Sequence, residues 1–175
     1  LNKPANPNFS SGPCSKRPGY DLNNLDIDTL GRSHRSNVGK LALGRACTDT
    51  AEILGLPAGY RVGVVPASDT GAFEMIMWSV LGARPVDIFS WESFGSGWLT
   101  DATKQLKLDN LNSYTADYGQ LPDMTQANPD NDTVFTWNGT TAGVKLPNAD
   151  WISDERTGLT TVPSTHLQMP TTNSP

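Results

Sequence analysis

A short run of small, hydroxylated residues, Ser-Asp-Thr-Gly at 68–71, is the clearest candidate for chemistry in this sequence. An apolar, β-branched segment at 60–65 precedes it and predicts a buried strand, and apolar residues at helical spacing follow it over 70–81. A strand that turns into a helix in this way presents free backbone N–H groups and the positive end of the helix dipole. Ser68 and Thr70 add hydroxyl donors, so the turn predicts an anion site, most often one for phosphate. Because Ser, Asp and Thr are also ordinary N-caps, the turn taken alone favours a capped helix that binds nothing.

A second candidate is the basic cluster formed by Arg32, His34 and Arg35. Guanidinium groups pair with carboxylates and phosphates through two parallel hydrogen bonds, so the cluster is compatible with an anionic substrate. A solvated loop is the alternative, and for a short basic cluster it is the commoner one. Neither Cys14 nor Cys47 has a second cysteine or a histidine at metal-ligand spacing, so we expect no metal site.

The elements that must position these residues alternate between strands and helices. The predicted strands are 60–65, 86–91, 111–115 and 133–137, and the predicted helices are 37–54, 70–81 and 97–106. This alternation favours an α/β fold, with a mainly parallel sheet and flanking helices. Ligands gather at the carboxyl ends of such strands, so the turns at 68–71, 94–95 and 138–140 predict one shared site. Trp78 and Trp137 are expected in the core.

The length of 175 residues is that of one domain with a substantial core. Residues 1–20 contain four prolines and predict an extended arm, 21–160 the α/β domain, and 161–175 a divergent, poorly ordered tail rich in Thr, Ser and Pro. The net charge of −5, with no basic stripe, disfavours a nucleic-acid partner. No apolar run approaches the length of a bilayer span, so we expect no membrane partner and a cytoplasmic location.

Five motifs occur in the order and approximate spacing of a known family. They are Phe-Ser-Ser-Gly-Pro at 9–13, Ser-His-Arg at 33–35, Ser-Asp-Thr-Gly at 68–71, Trp-Glu-Ser-Phe-Gly at 91–95 and Thr-Trp-Asn-Gly-Thr-Thr at 136–141. With these motifs the chain resembles the phosphoserine aminotransferases, pyridoxal-phosphate enzymes of fold type I in the class V aminotransferase family. The resemblance covers residues 3 to about 160. It implies the incomplete large, cofactor-binding domain of such an enzyme.

The resemblance also implies the cofactor, pyridoxal phosphate, and the residues that bind it. Ser68, Asp69 and Thr70 would hold its phosphate group through backbone and hydroxyl donors. Phe94 would stack on its pyridine ring, a contact that fixes the plane of the ring. Thr140 would donate a hydrogen bond to its phenolic oxygen.

For the substrate, the resemblance implies Arg35, with His34 and Arg32, as the residues that bind its carboxylate or phosphate. Ser10 and Ser11 lie in the arm that would close over the site. The implied reaction is amino transfer between phosphoserine and 2-oxoglutarate in serine biosynthesis, by an enzyme that forms homodimers.

The chain departs from the family at its C-terminal end. Pro163 lies at the position of the aspartate that pairs with the pyridinium nitrogen in the family. No lysine of this chain matches the one that forms a Schiff base with the cofactor. We therefore expect a chain truncated before its catalytic lysine, without catalytic residues of its own and inactive alone.

Two other functions remain open. Gly95 and Gly97 after a strand, with Asp117 after the next, outline a Rossmann dinucleotide site, although Trp98 is bulky and Thr100 replaces the third glycine. The second alternative is a degenerate, non-catalytic fragment that keeps the fold and binds ligands weakly or pairs with a full-length relative.

Overall fold

The computed structural model describes residues 16–163 and divides the chain into two compact units, residues 1–64 and 65–175. The domain predicted at 21–160 therefore spans both units. The described part of the first unit contains a 3₁₀ turn (Leu22–Asn24) and one helix, α1 (Asn37–Ile53). The Oγ of Ser36 caps α1 by accepting a hydrogen bond from the N–H of Gly39 at 3.2 Å. Of the residues described in this unit, only Gly39 is buried.

The prediction of a strand at 60–65 is wrong. Residues 60–65 have no regular structure, and Val64 is 63% exposed. A β-branched run favours an extended chain, but a strand forms only where a neighbouring strand accepts its hydrogen bonds. The structure gives this run no such neighbour among the strands it describes.

The second unit contains a parallel four-stranded sheet in the order β2-β1-β3-β4. Its helices are α2 (Asp69–Val80) and α3 (Ser93–Thr100), and its strands are β1 (Val86–Ser90), β2 (Leu111–Thr115), β3 (Asp132–Phe135) and β4 (Thr160–Thr161). The α/β fold with a parallel sheet and flanking helices is confirmed. The helix predicted at 97–106 begins earlier, as α3, and continues as a π-helical segment over Asp101–Gln105.

The alternation of side chains along β1 builds one apolar cluster on each face of the sheet. Val86 and Ile88 point to the first cluster, where Phe73 and Met77 of α2 and Trp98 of α3 pack. Phe73 and Met77 are four positions apart and so lie on one side of α2. Trp78, one position past Met77, is about 100° round the helix and is 48% exposed, so its predicted place in the core is wrong.

The second cluster lies on the other face and is completed by the connections between strands, one of which contains a 3₁₀ turn (Met124–Gln126), rather than by α-helices. Phe89 of β1 and Phe135 of β3 belong to it, together with Trp137, which is buried as predicted. Met124 and Leu146 reach it from the connections between strands. The sheet is therefore buried on both faces at β1 and β3, as parallel strands require.

The first residues of the predicted tail belong to the fold. Thr161 lies in β4, and both Thr161 and Pro163 are buried. Residues 164–175 lie outside the described part of the chain, as do Ser10 and Ser11 in the arm. Within residues 16–163, no helix is long and apolar enough to cross a membrane, and no three potential metal-ligating side chains cluster together.

Candidate functional site

A cavity of ≈ 230 Å³ lies at the carboxyl ends of β1, β3 and β4. It is lined by Ser68, Asp69, Thr70, Phe94, Trp98, Thr136, Asn138, Thr140 and Pro163. The chain leaves β1 for β2 on one side and returns to β3 on the other, so the cavity is at the switch point where α/β folds bind ligands. All five residues that the resemblance assigns to the cofactor line this one cavity.

The N-terminus of α2 forms the first wall. The Oγ of Ser68 accepts a hydrogen bond from the N–H of Gly71 at 3.2 Å, which leaves the earlier N–H groups of the helix without intrahelical acceptors. A Cβ at Gly71 would lie 3.0 Å from the Cβ of Ala67, so a glycine permits this tight entry to the helix. Ala67 itself has φ = 81°, a left-handed conformation that a non-glycine residue adopts at a cost.

The N-terminus of α3 forms the second wall. The side chain of Glu92 caps this helix by accepting a 2.6 Å hydrogen bond from the N–H of Gly95. Phe94, in the first turn, lines the cavity and is 43% exposed, so part of its side chain is accessible to a ligand. Its ring centroid lies 6.2 Å from that of Trp98, which is buried against Phe73 at 4.5 Å.

The turn that follows β3 forms the third wall, and Thr141 connects it to α3. The Oγ1 of Thr141 donates to Oε2 of Glu92 at 2.9 Å and accepts from the N–H of Ser93 at 3.2 Å. Tyr118 places its hydroxyl 3.2 Å from the same oxygen. Hydrogen bonds to the side chains of Thr141 and then Ser93 lower the pKa of Tyr118 below its usual value.

Charge is scarce in the cavity. Among its described lining residues, Asp69 is the only charged one, and no lysine lines it. Pro163 is buried at the end of β4, with its carbonyl accepting the N–H of Trp137 at 3.2 Å. The donors of the lining are therefore uncharged, and they include the first N–H groups of α2 and the hydroxyl groups of Ser68, Thr70, Thr136 and Thr140.

The predicted substrate residues lie in the first unit. Arg32, His34 and Arg35 are exposed, and they precede Ser36, the cap of α1. The N–H of Arg35 donates to the Oγ of Ser33 at 3.1 Å. Their role as anion ligands stays a prediction.

The alternative of a dinucleotide site is wrong. Gly95 and Gly97 lie inside α3, which begins at Ser93. The dinucleotide fingerprint needs its glycines in the turn before the helix, where the backbone approaches the pyrophosphate. Trp98, the next residue of the motif, is also inside α3, and its side chain is buried.

Sequence reasoning gave no role in the site to two residues that line the cavity, Trp98 and Thr136. Thr136 lies just past β3, next to the predicted turn at 138–140, so the rule that ligands bind beyond the carboxyl ends of strands could have found it. Glu92 caps α3 at a position where Ser, Thr, Asp and Asn are the preferred residues, so the sequence carried no ordinary capping signal for its link to α3.

The chain is 59% identical over 157 residues to the phosphoserine aminotransferase of Methanosarcina barkeri, and 58% identical over 157 residues to that of Methanosarcina mazei. The resemblance to phosphoserine aminotransferases is confirmed. Each match covers 90% of this chain and 42% of the relative, so the chain spans about two fifths of the length of these curated phosphoserine aminotransferases. A putative phosphoserine aminotransferase of Mycobacterium avium is 26% identical over 148 residues, which are 83% of this chain and 39% of that protein. No protein-family model matches the sequence.

Proposed function

We propose that this chain forms the cofactor-binding part of a phosphoserine aminotransferase. In that role it would hold pyridoxal phosphate for amino transfer between phosphoserine and 2-oxoglutarate, a step of serine biosynthesis. The observation that carries the proposal is the meeting of Ser68, Asp69, Thr70, Phe94 and Thr140 in one cavity. The 59% identity to a phosphoserine aminotransferase supports the choice of reaction.

The residues present fit most of this cofactor. A helix N-terminus with two hydroxyl groups suits a phosphate dianion, because unpaired N–H groups and the helix dipole both favour negative charge there. The half-exposed ring of Phe94 suits a flat aromatic ring, and the hydroxyl of Thr140 supplies a further donor on the cavity wall. The volume of ≈ 230 Å³ is in keeping with a small ligand of this kind.

Each of these side chains has a defined task in the proposed site. Ser68 and Thr70 anchor the phosphate, and Phe94 fixes the plane of the pyridine ring. Thr140 sets the rotation of the ring within that plane. Trp98, packed between Phe94 and Phe73, keeps water away from one side of the cavity. When bound, the cofactor acts as an electron sink for reactions at the amino-bearing carbon of the substrate.

The cavity does not supply the two groups that complete such a site. Pro163 offers no charge to a pyridine nitrogen, and no lysine among the described residues lines the cavity. We therefore propose that the 175-residue chain binds pyridoxal phosphate reversibly, without a covalent bond to a lysine and without turnover. Two further statements belong to this proposal: a cytoplasmic location, and pairing as a homodimer, which the resemblance implies.

The experiment is a titration of the chain with pyridoxal phosphate in which binding is monitored by tryptophan fluorescence and by absorbance. We expect saturable binding that Thr70→Val and Phe94→Ala each weaken about tenfold, as the loss of one hydrogen bond to a charged group or one ring contact does. Thr103→Val is the matched control, because that exposed threonine lies outside the cavity. Absence of saturable binding, or an equal loss in the Thr103 variant, would refute the proposal. After borohydride treatment and peptide mapping, a single labelled lysine would refute its non-covalent part.

A further inference from the structure

We propose that Glu92 is a positioning residue that holds two walls of the cavity at a fixed separation. The walls are the first turn of α3, which carries Phe94, and the turn after β3, which carries Thr140. This inference rests on the proposed function for its ligand, but its structural part is independent of any ligand.

The carboxylate of Glu92 is divided between the two walls. Glu92 is 1% exposed, and its Oε1 accepts the N–H of Gly95 in α3 at 2.6 Å. Its Oε2 accepts the Oγ1 hydroxyl of Thr141 at 2.9 Å and the N–H of the same residue at 3.3 Å. One buried side chain therefore ties a residue next to Phe94 to a residue next to Thr140.

Packing makes this connection stiff. A Cβ at Gly139 would lie 2.8 Å from the Cγ of Glu92 and 2.9 Å from the Nε1 of Trp91, so the turn after β3 lies directly against both side chains. The Nε1 of Trp91 donates to the carbonyl of Val144 at 3.3 Å and holds the far side of the same turn. If either wall moved outward, the buried carboxylate of Glu92 would lose hydrogen-bond donors, and a buried charge without donors raises the free energy of the folded state.

Glu92 does not itself line the cavity, so it acts on a ligand only through Phe94 and Thr140. Glutamine at this position keeps one oxygen for the N–H of Gly95 but presents an NH₂ group towards the N–H of Thr141. Alanine removes both connections. The pair Glu92→Gln and Glu92→Ala therefore separates the two halves of the proposed link.

The first test needs no ligand and measures amide hydrogen exchange by NMR. In Glu92→Ala we expect the amides of Gly95 and Thr141 to lose protection while those of β1 keep theirs. In Glu92→Gln we expect Gly95 to stay protected and Thr141 to exchange faster. A uniform loss over the whole sheet, or unchanged exchange at both amides, would overturn the proposal.

The second test measures pyridoxal phosphate affinity in a double-mutant cycle. We expect Glu92→Ala to weaken binding about tenfold in the wild-type chain but less than about twofold in a Phe94→Ala/Thr140→Val background, because coupled residues are not additive. Glu92→Gln should recover part of the loss. Equal losses in the two backgrounds would mean that Glu92 acts through overall stability and would overturn the proposal. If the wild-type chain binds no pyridoxal phosphate, the proposed function fails, whereas the exchange experiment still decides the role of Glu92.

Discussion

Pro163 is the residue whose chemistry fits the proposed cofactor least. It lines the cavity at the end of β4, where the resemblance implies an aspartate. Its carbonyl, which accepts the N–H of Trp137, is a backbone group, so a side-chain replacement can keep that hydrogen bond. The position is therefore open to a direct test by substitution.

We predict that Pro163→Asp strengthens the binding of pyridoxal phosphate about tenfold, because a carboxylate favours the protonated form of a nearby ring nitrogen. The measurement is the fluorescence titration described above, with Pro163→Ala as the control for the loss of the proline ring. Equal gains in the alanine variant, or weaker binding in the aspartate variant, would contradict the prediction.

The pKa values of two tyrosines in the second unit are shifted in opposite directions. Burial, and then the charge of Asp87, raise the pKa of Tyr114, whereas hydrogen bonds to Thr141 and then Ser93 lower the pKa of Tyr118. Folding thus favours the neutral phenol of Tyr114, so any stability it contributes is lost as the pH rises through its raised pKa. The difference in phenolate absorbance between the wild type and Tyr118→Phe reports the titration of Tyr118, and it should appear below pH 10. The difference between the wild type and Tyr114→Phe reports the titration of Tyr114, and it should appear above pH 10. The reverse order would contradict both contact patterns.

At the scale of elements, two glycines near the cavity differ in the space around them. A Cβ at Gly139 meets Glu92 and Trp91, whereas a Cβ at Gly97, inside α3, meets nothing within 4 Å. We predict that Gly139→Ala destabilises the chain by about 1–3 kcal/mol through overpacking. Gly97→Ala should instead stabilise α3 by about 0.5–1 kcal/mol, since alanine is the better helix former. Urea denaturation of both variants is the measurement, and a similar effect of the two would contradict the described packing.

Elements with a clear local pattern were predictable from the sequence. The apolar spacing of α1 and α2 and the turn residues around β1, β2 and β3 gave bounds close to those observed. The run at 60–65 failed because strand formation depends on a partner elsewhere in the chain, which local pattern does not show. The prediction that Trp78 lies in the core failed because α2 is apolar on more than one side, so spacing alone did not identify the buried side of the helix.

The candidate site was predictable where motifs followed strands. Phe94 and Thr140 line one cavity because parallel strands bring their carboxyl ends to one edge, and their role as cofactor ligands stays a prediction. The link through Glu92 was not predictable, because the contact between Glu92 and Thr141 joins residues 49 positions apart. A buried side chain with partners that distant leaves little trace in local sequence.

At the scale of the whole molecule, the apolar core belongs to the second unit. Every large apolar residue that is buried in the described chain lies between Phe73 and Leu146, and the first unit contributes none. We predict that a chain of residues 65–175 still unfolds cooperatively. Its midpoint should shift by less than the roughly 4–8 °C that 1 kcal/mol produces in a small domain. Thermal unfolding followed by circular dichroism is the measurement, and loss of the transition would contradict this division of the core.

The central place of β1 has a consequence for how the chain is made. Val86 pairs with Leu111 on one side and with Asp132 on the other, 25 and 46 positions later in the sequence. Closing such long loops before any contact is gained makes parallel sheets slow to fold. During synthesis on the ribosome, β1 stays unpaired along both edges until Leu111 and then Asp132 have emerged. A strand whose five residues are all buried in the finished sheet is, in that interval, open to pairing with another copy.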